Sequence, residues 1–277
     1  MHANLAVPEA SPVVLMYHRV CADGDWRGSD FVVEASVFRR QMIWLAEHGY
    51  WTPRLSDVLR AGGRAPCLAG RPVLLTFDDG YADNLVNALP VLRWLGFTAA
   101  FFPVLDLHRR TNHWDTAPEL RVPLLSVEGM RALEDAGMEL GSHTMTHARL
   151  TRASPNELAD ELARSREVLA SLAADPLPVV AYPYGDVDDR VKDGARAAGY
   201  EAALAVNSGP LEMGADPFEI RRQRVGNSAR EAYLRLILSG AEKLYAWSKW
   251  KVAMHLAAMR RHDGDPPPLG TLGAQPM

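Results

Sequence analysis

Two adjacent carboxylates lie in the segment Thr76-Phe77-Asp78-Asp79-Gly80-Tyr81. They follow an apolar run that predicts a fully buried strand, and such strands rarely end in paired acids without a chemical reason. A carboxylate at this place can hold a metal ion or accept a proton. The structural alternative is that Asp-Gly forms a turn and that Asp79 caps a helix beginning near Asn84.

Two histidines four residues apart lie in Gly141-Ser142-His143-Thr144-Met145-Thr146-His147, again just after a short predicted strand. Neutral histidine nitrogens and carboxylate oxygens are usual ligands of catalytic Zn²⁺, which takes three protein ligands and keeps one position open. His143, His147 and one aspartate would complete that set, unless the two histidines are incidental. The same spacing occurs in zinc proteases, but Thr144 replaces their Glu base and Gly141-Ser142 is poor helix interior, which disfavours a protease.

A third motif, Tyr182-Pro183-Tyr184-Gly185-Asp186, follows the predicted strand Val179–Ala181. Proline and glycine fix a turn here. Such a turn can aim a backbone N–H at a developing oxyanion without any charged side chain. Turns of this composition also close strands for packing reasons alone.

Short strands and amphipathic helices alternate along the chain and would position the three motifs. The apolar runs that predict strands are Pro12–Tyr17, Pro72–Phe77, Thr98–Val104, Met138–Gly141, Val179–Tyr182 and Ala202–Val206. The predicted helices are Ser36–His48, Asn84–Leu95, Ser126–Ala136, Ser154–Ala173 and Asp188–Ala198. Six or seven such units without a break in composition predict an α/β protein with one parallel, barrel-like domain.

Composition limits the function classes. The 277 residues carry 30 Lys plus Arg against 34 Asp plus Glu, and the net charge of −4 argues against a nucleic-acid partner. Cys21 and Cys67 form neither a disulfide framework nor a thiolate metal site, and their redox state stays open. We find no signal peptide and no apolar run near the ~20 residues that span a bilayer. We therefore expect a cytoplasmic protein.

Two segments depart from the alternation of strands and helices. Asp106–Pro123 is polar, aromatic and long for a connection, which predicts a loop or lid above the strand ends. Ala229–His262 is helical in period and carries seven Lys or Arg against two Glu, a charge of +5. It would suit either peripheral contact with an anionic membrane or packing on the barrel. The predicted divisions are an N-terminal extension (1–11), a barrel domain (12–228), a basic amphipathic helix (229–262) and a disordered tail (263–277).

Taken together, the three motifs resemble those of the polysaccharide deacetylase family, carbohydrate esterase family four. The matching segments are Thr76–Tyr81, Gly141–Leu150 and Tyr182–Gly185, and the resemblance extends from about Pro12 to Val225. It implies a distorted (β/α) barrel of about seven parallel strands, a divalent metal held by Asp-His-His, and hydrolysis of an N-acetyl or O-acetyl group on a sugar.

The resemblance also implies residue roles. It makes Asp78 the general base, makes Asp79, His143 and His147 the metal ligands, and has Tyr184 offer its backbone N–H to the oxyanion. The implied cofactor is a divalent ion, with Zn²⁺ first and Co²⁺, Mn²⁺ or Ni²⁺ as alternatives. The expected nucleophile is a metal-bound water, from which the uncommitted Asp78 takes a proton.

Two features of the family pattern are missing. Many members carry an arginine two residues before the Pro-Tyr of the third motif, where it orients the base, but Ala181 or Tyr182 stands there in this chain. The late Leu-x-His that supplies the general acid is absent after Ala202. His18, in Tyr17-His18-Arg19-Val20, resembles the acid of a circularly permuted branch in which its strand comes first. The alternative for His18 is a core or turn histidine.

Other side chains are candidates for the same site. His108 and His113, on the predicted lid, are rivals for the acid role. Arg222 would reach Asp78 or would lie at the surface as a solvated arginine. The expected substrate contacts are Tyr81, Trp114, Pro183 and Arg222.

The sequence thus predicts a metal-dependent hydrolase that removes acetyl groups from N-acetylated amino sugars of a polysaccharide or oligosaccharide. One alternative is deacylation of a lipid-linked or small-molecule amide. Another is a catalytically quiet carbohydrate-binding protein of the same fold, which the missing arginine and the displaced acid would favour.

Overall fold

The computed structural model describes residues 9–26, 29, 31–66, 70–114, 121–206, 216–227 and 231–238. The chain divides into two compact units, Met1–Arg235 and Leu236–Met277. The described strands are β1 (Glu9–Ala10), β2 (Val13–Tyr17), β3 (Arg19–Cys21), β4 (Val32–Glu34), β5 (Tyr50–Trp51), β6 (Ala65–Pro66), β7 (Arg71–Asp79), β8 (Ala100–Pro103), β9 (Glu139–Leu140), β10 (Val179–Ala181), β11 (Ala202–Ala205), β12 (Ile220–Arg221) and β13 (Gln223–Arg224).

The described helices lie mainly between the barrel strands. They are α1 (Ala35–Glu47), α2 (Leu55–Arg60), α3 (Asn84–Asn87), α4 (Leu89–Leu95), α5 (Val127–Asp135), α6 (Pro155–Leu172), α7 (Asp189–Ala197) and α8 (Glu231–Leu238). Ser126 and Ser154 cap α5 and α6, and Ser154 forms a reciprocal capping box with Glu157. None of these helices has the length and hydropathy needed to cross a bilayer.

The parallel strands form a ring. β13, β2, β7, β8 and β9 are neighbours in that order, and β10, β11 and β12 form a second run. A parallel bridge between Ser142, just after β9, and Val180 of β10 joins the two runs. At the other end, β12 and β13 follow one another in the segment Ile220–Arg224, which pairs first with β11 and then with β2. The expected α/β barrel of about seven parallel strands is confirmed.

Alternate residues of these strands point to opposite sides of the barrel wall. One set forms a single buried cluster, made of residues such as Val14, Leu74, Phe102, Val179, Leu204 and Ile220. The other set, including Val180 and Ala203, packs against residues of α6 and α7. Both faces are therefore covered, which explains why the strands are continuous apolar runs. Asp78 and Arg222 share the alternation of Leu74 and Ile220, so both fall on the interior face.

Several boundaries differ from the predictions for physical reasons. The predicted helix Asn84–Leu95 is divided into α3 and α4, because Pro90 lacks an N–H and cannot continue α3. β7 continues through the acid pair to Asp79 instead of ending at Phe77. β12 and β13 were not predicted, because Arg221, Gln223 and Arg224 interrupt any apolar run.

Other predictions concern residues only partly covered by the structure. Cys21 is buried and free, and burial raises the pKa of its thiol to about 11. Cys67, residues 115–120 of the predicted lid and the tail 263–277 lie outside the described residues. Of the predicted basic helix 229–262, only 231–238 is described. Membrane contact through this segment stays a prediction.

Candidate active site

Asp79, His143 and His147 meet beyond the carboxyl ends of β7 and β9. Oδ1 of Asp79 lies 3.2 Å from Nε2 of His143 and 3.3 Å from Nε2 of His147. One candidate ligand atom from each residue lies within 4.8 Å of the others, and all three side chains are buried. The structure therefore brings together the three predicted ligands. Asp79 does not cap a helix, since the N-cap of α3 is Asp83.

The donor set fits a cation. Nδ1 of His143 donates to the carbonyl oxygen of Ala181 at 2.8 Å, so the neutral ring presents the bare lone pair of Nε2 to Asp79. Oδ1 of Asp79 is buried, and among the described residues it has no hydrogen-bond donor. Burial would lower the pKa of His143, but the carboxylates of Asp78 and Asp79 raise it above its ordinary value. This position favours positive charge, as a metal site requires.

The backbone around these ligands is strained. The non-glycine residues with positive φ in the described chain are Asp79 at 69°, Thr144 at 64°, His147 at 64° and Tyr184 at 60°. Such residues concentrate at functional sites, because only a surrounding structure that fixes them can hold them there. Gly80 follows Asp79 with φ of 78°, and a Cβ at Gly80 would lie 2.7 Å from Cβ of Pro103. The close approach of β7 to β8 therefore requires glycine at this position.

Asp78 forms a buried ion pair with Arg222. Nη1 and Nη2 of Arg222 donate to the two carboxylate oxygens of Asp78 at 2.7 and 2.6 Å. Burial alone would raise the pKa of Asp78, but the charge of Arg222 holds it below the ordinary value. Arg222 thus takes the place of the missing arginine before Pro183. The expected loss of this support is therefore wrong, whereas the alternative in which Arg222 reaches Asp78 agrees with the structure.

The predicted substrate contact at Arg222 is also wrong, as is the surface alternative. Its side chain is 0 % exposed, and Asp78 binds the Nη1–Nη2 edge of the guanidinium group. Arg222 also donates to Oγ1 of Thr76 at 3.2 Å. Arg222 thus orients Asp78 and balances its charge.

A cavity of about 500 Å³ opens above the ligand cluster. Its walls include the predicted residues His18, Tyr81, Trp114 and Tyr184, together with Asp78 and the three ligands. Pro183 is buried and is not among the residues of the described wall, and its contact with substrate stays a prediction. The neighbouring Tyr182 and Tyr184 are among the lining residues. The Tyr182 ring itself is buried, and its hydroxyl donates to the carbonyl oxygen of Phe218 at 3.2 Å.

Residues 65–203 match the family model for polysaccharide deacetylase. The chain belongs to this family. The family assignment agrees with the barrel, the Asp-His-His cluster and the second carboxylate described above, and it makes the protein a deacetylase and therefore a hydrolase.

Similar proteins support the assignment of the chain to the polysaccharide deacetylases. "Putative polysaccharide deacetylase YxkH" of Bacillus subtilis (strain 168) is 26% identical over 227 residues, or 80% of this chain and 75% of the relative. A poly-beta-1,6-N-acetyl-D-glucosamine N-deacetylase of Staphylococcus epidermidis is 23% identical over 254 residues, or 84% and 85% of the two chains. The Streptococcus pyogenes deacetylase PplD in complex with acetate has a TM-score of 0.71 at 23% identity, covering 83% of this chain and 99% of that chain, and it shows the same fold.

The aromatic residues of the deacetylase site pack around His147. The Trp114 ring stacks on the imidazole with centroids 4.3 Å apart, and the Tyr184 ring meets it edge-on at 4.6 Å. Trp114 lies in the described part of the predicted lid. Asn112 fixes this segment, because Oδ1 of Asn112 accepts from the backbone N–H of Val122 at 2.6 Å. Trp114 therefore shields a ligand as well as lining the cavity.

The three candidate acids occupy different environments. His18 is half-buried and lines the cavity, where its ring meets Phe31 edge-on at 4.8 Å. His108 is exposed, and neither His108 nor His113 belongs to the described cavity wall. Among the three, the geometry favours His18.

Sequence reasoning missed Glu161, which fixes the loop between the two histidine ligands. Its Oε2 accepts from the backbone N–H of Met145 and of Thr146 at 3.0 and 2.9 Å, and its Oε1 accepts from Oγ1 of Thr146 at 2.6 Å. Glu161 lies on α6, 14 residues after His147 in sequence, and no local motif marks it. Its place on the barrel-facing side of a predicted amphipathic helix was the available signal.

We predict that Glu161→Ala weakens Co²⁺ and Zn²⁺ binding about tenfold or more, because residues that orient metal ligands contribute on this scale. Titration of the metal-free protein with Co²⁺, followed by the visible absorption of the ion, measures the affinity and the ligand geometry. Glu161→Gln should restore much of the affinity, since the amide oxygen can still accept both N–H groups.

Glu157→Ala is the matched control for Glu161→Ala. Glu157 lies on the same helix, where its side chain accepts from the backbone N–H of Ser154 and closes the capping box. This variant should destabilise α6 by about 1 kcal/mol and leave the Co²⁺ spectrum unchanged. A wild-type affinity and spectrum in Glu161→Ala would show that the loop does not need Glu161.

Proposed function

We propose that this deacetylase removes acetyl groups from N-acetylated amino sugars of a polysaccharide or oligosaccharide. The observation that carries the proposal is Asp78, a second buried carboxylate kept ionised beside the Asp79-His143-His147 cluster. The name of the Staphylococcus epidermidis relative supports this substrate class, since it specifies an N-acetylated glucosamine polymer.

Asp79, His143 and His147 would hold the metal, and a set of two nitrogens and one oxygen suits Zn²⁺. Bound there, the ion would polarise the acetyl carbonyl and acidify a water molecule. Asp78 is free of the ligand set and is ionised at neutral pH. Each of its oxygens keeps a lone pair besides the one used by Arg222, so it can accept the proton of the attacking water.

His18 would supply the proton that the leaving amine requires. β2 and β7 are paired in register up to Tyr17 and Phe77, so the next residues, His18 and Asp78, lie side by side at the strand ends. Asp78 then gains one proton from water while His18 gives one to the amine nitrogen, and the products are acetate and the free amino sugar. Both groups act on one cavity.

Tyr184, Tyr81 and Trp114 would bind the substrate. Tyr184 lies in a strained turn and its ring contacts His147, and its backbone N–H would donate to the oxygen of the tetrahedral intermediate. Tyr81 and Trp114 line the cavity and offer aromatic surface to a sugar ring.

We predict that chelation abolishes acetate release from chitin oligomers and that Zn²⁺ restores it, with Co²⁺ and Mn²⁺ tested beside it. His143→Ala should lose both metal and activity. Asp78→Asn should keep its metal and lose about 10²- to 10⁴-fold in kcat, because only the base is removed.

The two variants make the chelation experiment decisive. Activity after complete metal removal would rule out the metal mechanism. If Asp78→Asn lost its metal while His143→Ala kept it, the roles assigned to these residues would be reversed.

We predict that His18→Ala removes the alkaline limb of the pH profile of kcat/KM. A general acid must be protonated, so activity falls as pH rises through its pKa. Burial lowers the pKa of His18 below its ordinary 6.5, so this limb should begin below that pH. His108→Ala, at an exposed position, is the control. An unchanged profile in His18→Ala would return the acid role to another group.

We predict that Arg222→Leu moves the acid limb of kcat/KM to higher pH, because the pKa of Asp78 rises when its buried cation is removed. The variant should also lose about 3–5 kcal/mol of unfolding free energy, measured by urea denaturation. Arg222→Lys keeps the charge and should shift the limb less. Arg221→Leu, whose side chain pairs with Glu219 instead, should leave the limb in place. An acid limb unmoved in Arg222→Leu would contradict the pairing argument.

A further inference from the structure

His18 lies at a break between two strands. It is the one residue between β2 and β3, and the chain changes its neighbour there, since β2 pairs with β7 and β3 pairs with β4. The register of β2 with β7 ends at Phe77. β7 itself ends at Asp79, where the positive φ of Asp79 and Gly80, 69° and 78°, turns the chain out of the sheet. The ladder with β7 therefore stops one residue before the proposed general acid.

The side-chain amide of Asn84 takes the place of a strand partner beyond this break. Its Nδ2 donates to the carbonyl oxygen of His18 at 2.8 Å, and its Oδ1 accepts from the backbone N–H of Val20 at 2.8 Å. A neighbouring strand would bond the same two groups, because the carbonyl of one residue and the N–H two residues later point to the same side. Asn84 is fully buried, so both of its polar groups are committed to this stretch of backbone.

The peptide group that joins His18 to Arg19 is held from both sides. Its carbonyl oxygen accepts from Asn84, and its N–H donates to the carbonyl oxygen of Phe31 at 3.3 Å. The Phe31 ring also meets the imidazole edge-on at 4.8 Å. Because the peptide plane is fixed, the direction of the Cα–Cβ bond of His18 is fixed as well, and only the χ angles of the imidazole remain to be set.

Asn84 belongs to the segment of chain that carries the base. It is the first residue of α3, six residues after Asp78 and five after Asp79. Beside it, Asp83 forms an ion pair with Arg19 at 2.6 Å, which fastens the same two segments a second time. The chain that leaves β7 at the base thus returns at once to the strand end that carries the acid. This short path sets the spacing of two groups that must act on one substrate.

From these contacts, and on the basis of the deacetylase function proposed above with His18 as its acid, we propose that Asn84 is a positioning residue for general acid catalysis. It holds the His18 backbone so that the imidazole gives its proton to the amine nitrogen as the C–N bond breaks. Asn84 is not among the described residues that line the cavity, so it acts through His18 and not on the substrate.

Leaving groups of different basicity separate this role from a merely structural one. An amine must be protonated as it leaves, whereas 4-nitrophenolate leaves 4-nitrophenyl acetate without a proton. In the full-length, zinc-loaded protein, Asn84→Ala should lower kcat for acetate release from chitotetraose about ten- to a hundredfold, with KM within about twofold. The kcat for the aryl acetate and the Co²⁺ absorption spectrum should stay near the wild-type values.

A double variant tests whether Asn84 acts through His18. If it does, His18→Ala alone and His18→Ala combined with Asn84→Ala should have the same kcat on chitotetraose within about twofold, because the group that Asn84 positions is already gone. Two independent losses would multiply. This comparison decides the question with chitotetraose alone if the cavity does not accept the aryl acetate.

Two further variants complete the experiment. Nδ2 of Asn87 donates to the carbonyl oxygen of Val20 at 2.9 Å, so Asn87→Ala removes a bond between α3 and β3 without touching the His18 peptide. It should lower the urea midpoint and leave the ratio of the two kcat values unchanged. Asn84→Asp keeps the side-chain shape and the acceptor for Val20, but as a carboxylate it cannot donate to His18. The selective loss is expected there too, which keeps the test decisive if Asn84→Ala does not fold.

Four results would overturn the inference: equal losses on both substrates, an unchanged kcat on chitotetraose in the Asn84 variants, losses that multiply in the double variant, or a wild-type kcat in His18→Ala. Each leaves the proposed deacetylation standing, provided that the wild-type protein releases acetate from chitotetraose. A wild-type protein that releases none would overturn the proposed function itself, and the role of Asn84 with it.

Discussion

A fully buried carboxylate stays ionised in this barrel because an arginine 144 residues away donates two hydrogen bonds to it. Arg222 lies between β12 and β13, at the point where the last barrel segment changes partner from β11 to β2. Its Nε also donates to the carbonyl oxygen of Ala205 at 3.4 Å, at the end of β11. The segment that closes the ring therefore also keeps Asp78 ionised, since an unclosed ring would leave Asp78 buried without its cation.

The ligand cluster depends on a second constraint, which is strained backbone. Each non-glycine residue with positive φ costs about 1–3 kcal/mol, and these residues occur at two ligands, at Thr144 between the histidines and at the Tyr184 turn. Side-chain acceptors hold the conformation. Oγ of Ser142 accepts from the N–H of Thr144, Oγ1 of Thr144 accepts from the N–H of His147, and Glu161 satisfies the two N–H groups between them. The loop is thus fixed before any ligand is bound, which keeps the imidazoles aimed at one point.

The sequence allowed the ligands to be predicted because each motif is contiguous and follows a strand, and the ends of parallel strands meet at one edge of a barrel. The sequence did not establish that Asp78 pairs with Arg222. Apolar runs predict strands, and the segment Ile-Arg-Arg-Gln-Arg, which carries Arg222, is not apolar. The alternation of residues along a strand does predict the face on which Asp78 lies, since Leu74, Thr76 and Asp78 point to the same side. Glu161 was missed for another reason: a carboxylate that binds backbone N–H groups of a distant loop has no local motif, and only its place on a predicted amphipathic helix pointed to it.

The position of His18 shows why chain order is a weak constraint on such a site. β2 is the first barrel strand in the chain, yet it lies between β7 and the last segment, β13. In a closed ring every strand has two neighbours, so a strand moved from one terminus to the other keeps both its partners and the direction of its carboxyl end. The register of β2 with β7 then brings His18 next to Asp78, whichever of the two strands comes first in the chain. What the chemistry requires is the neighbourhood of strand ends, and the path by which the chain connects them is free.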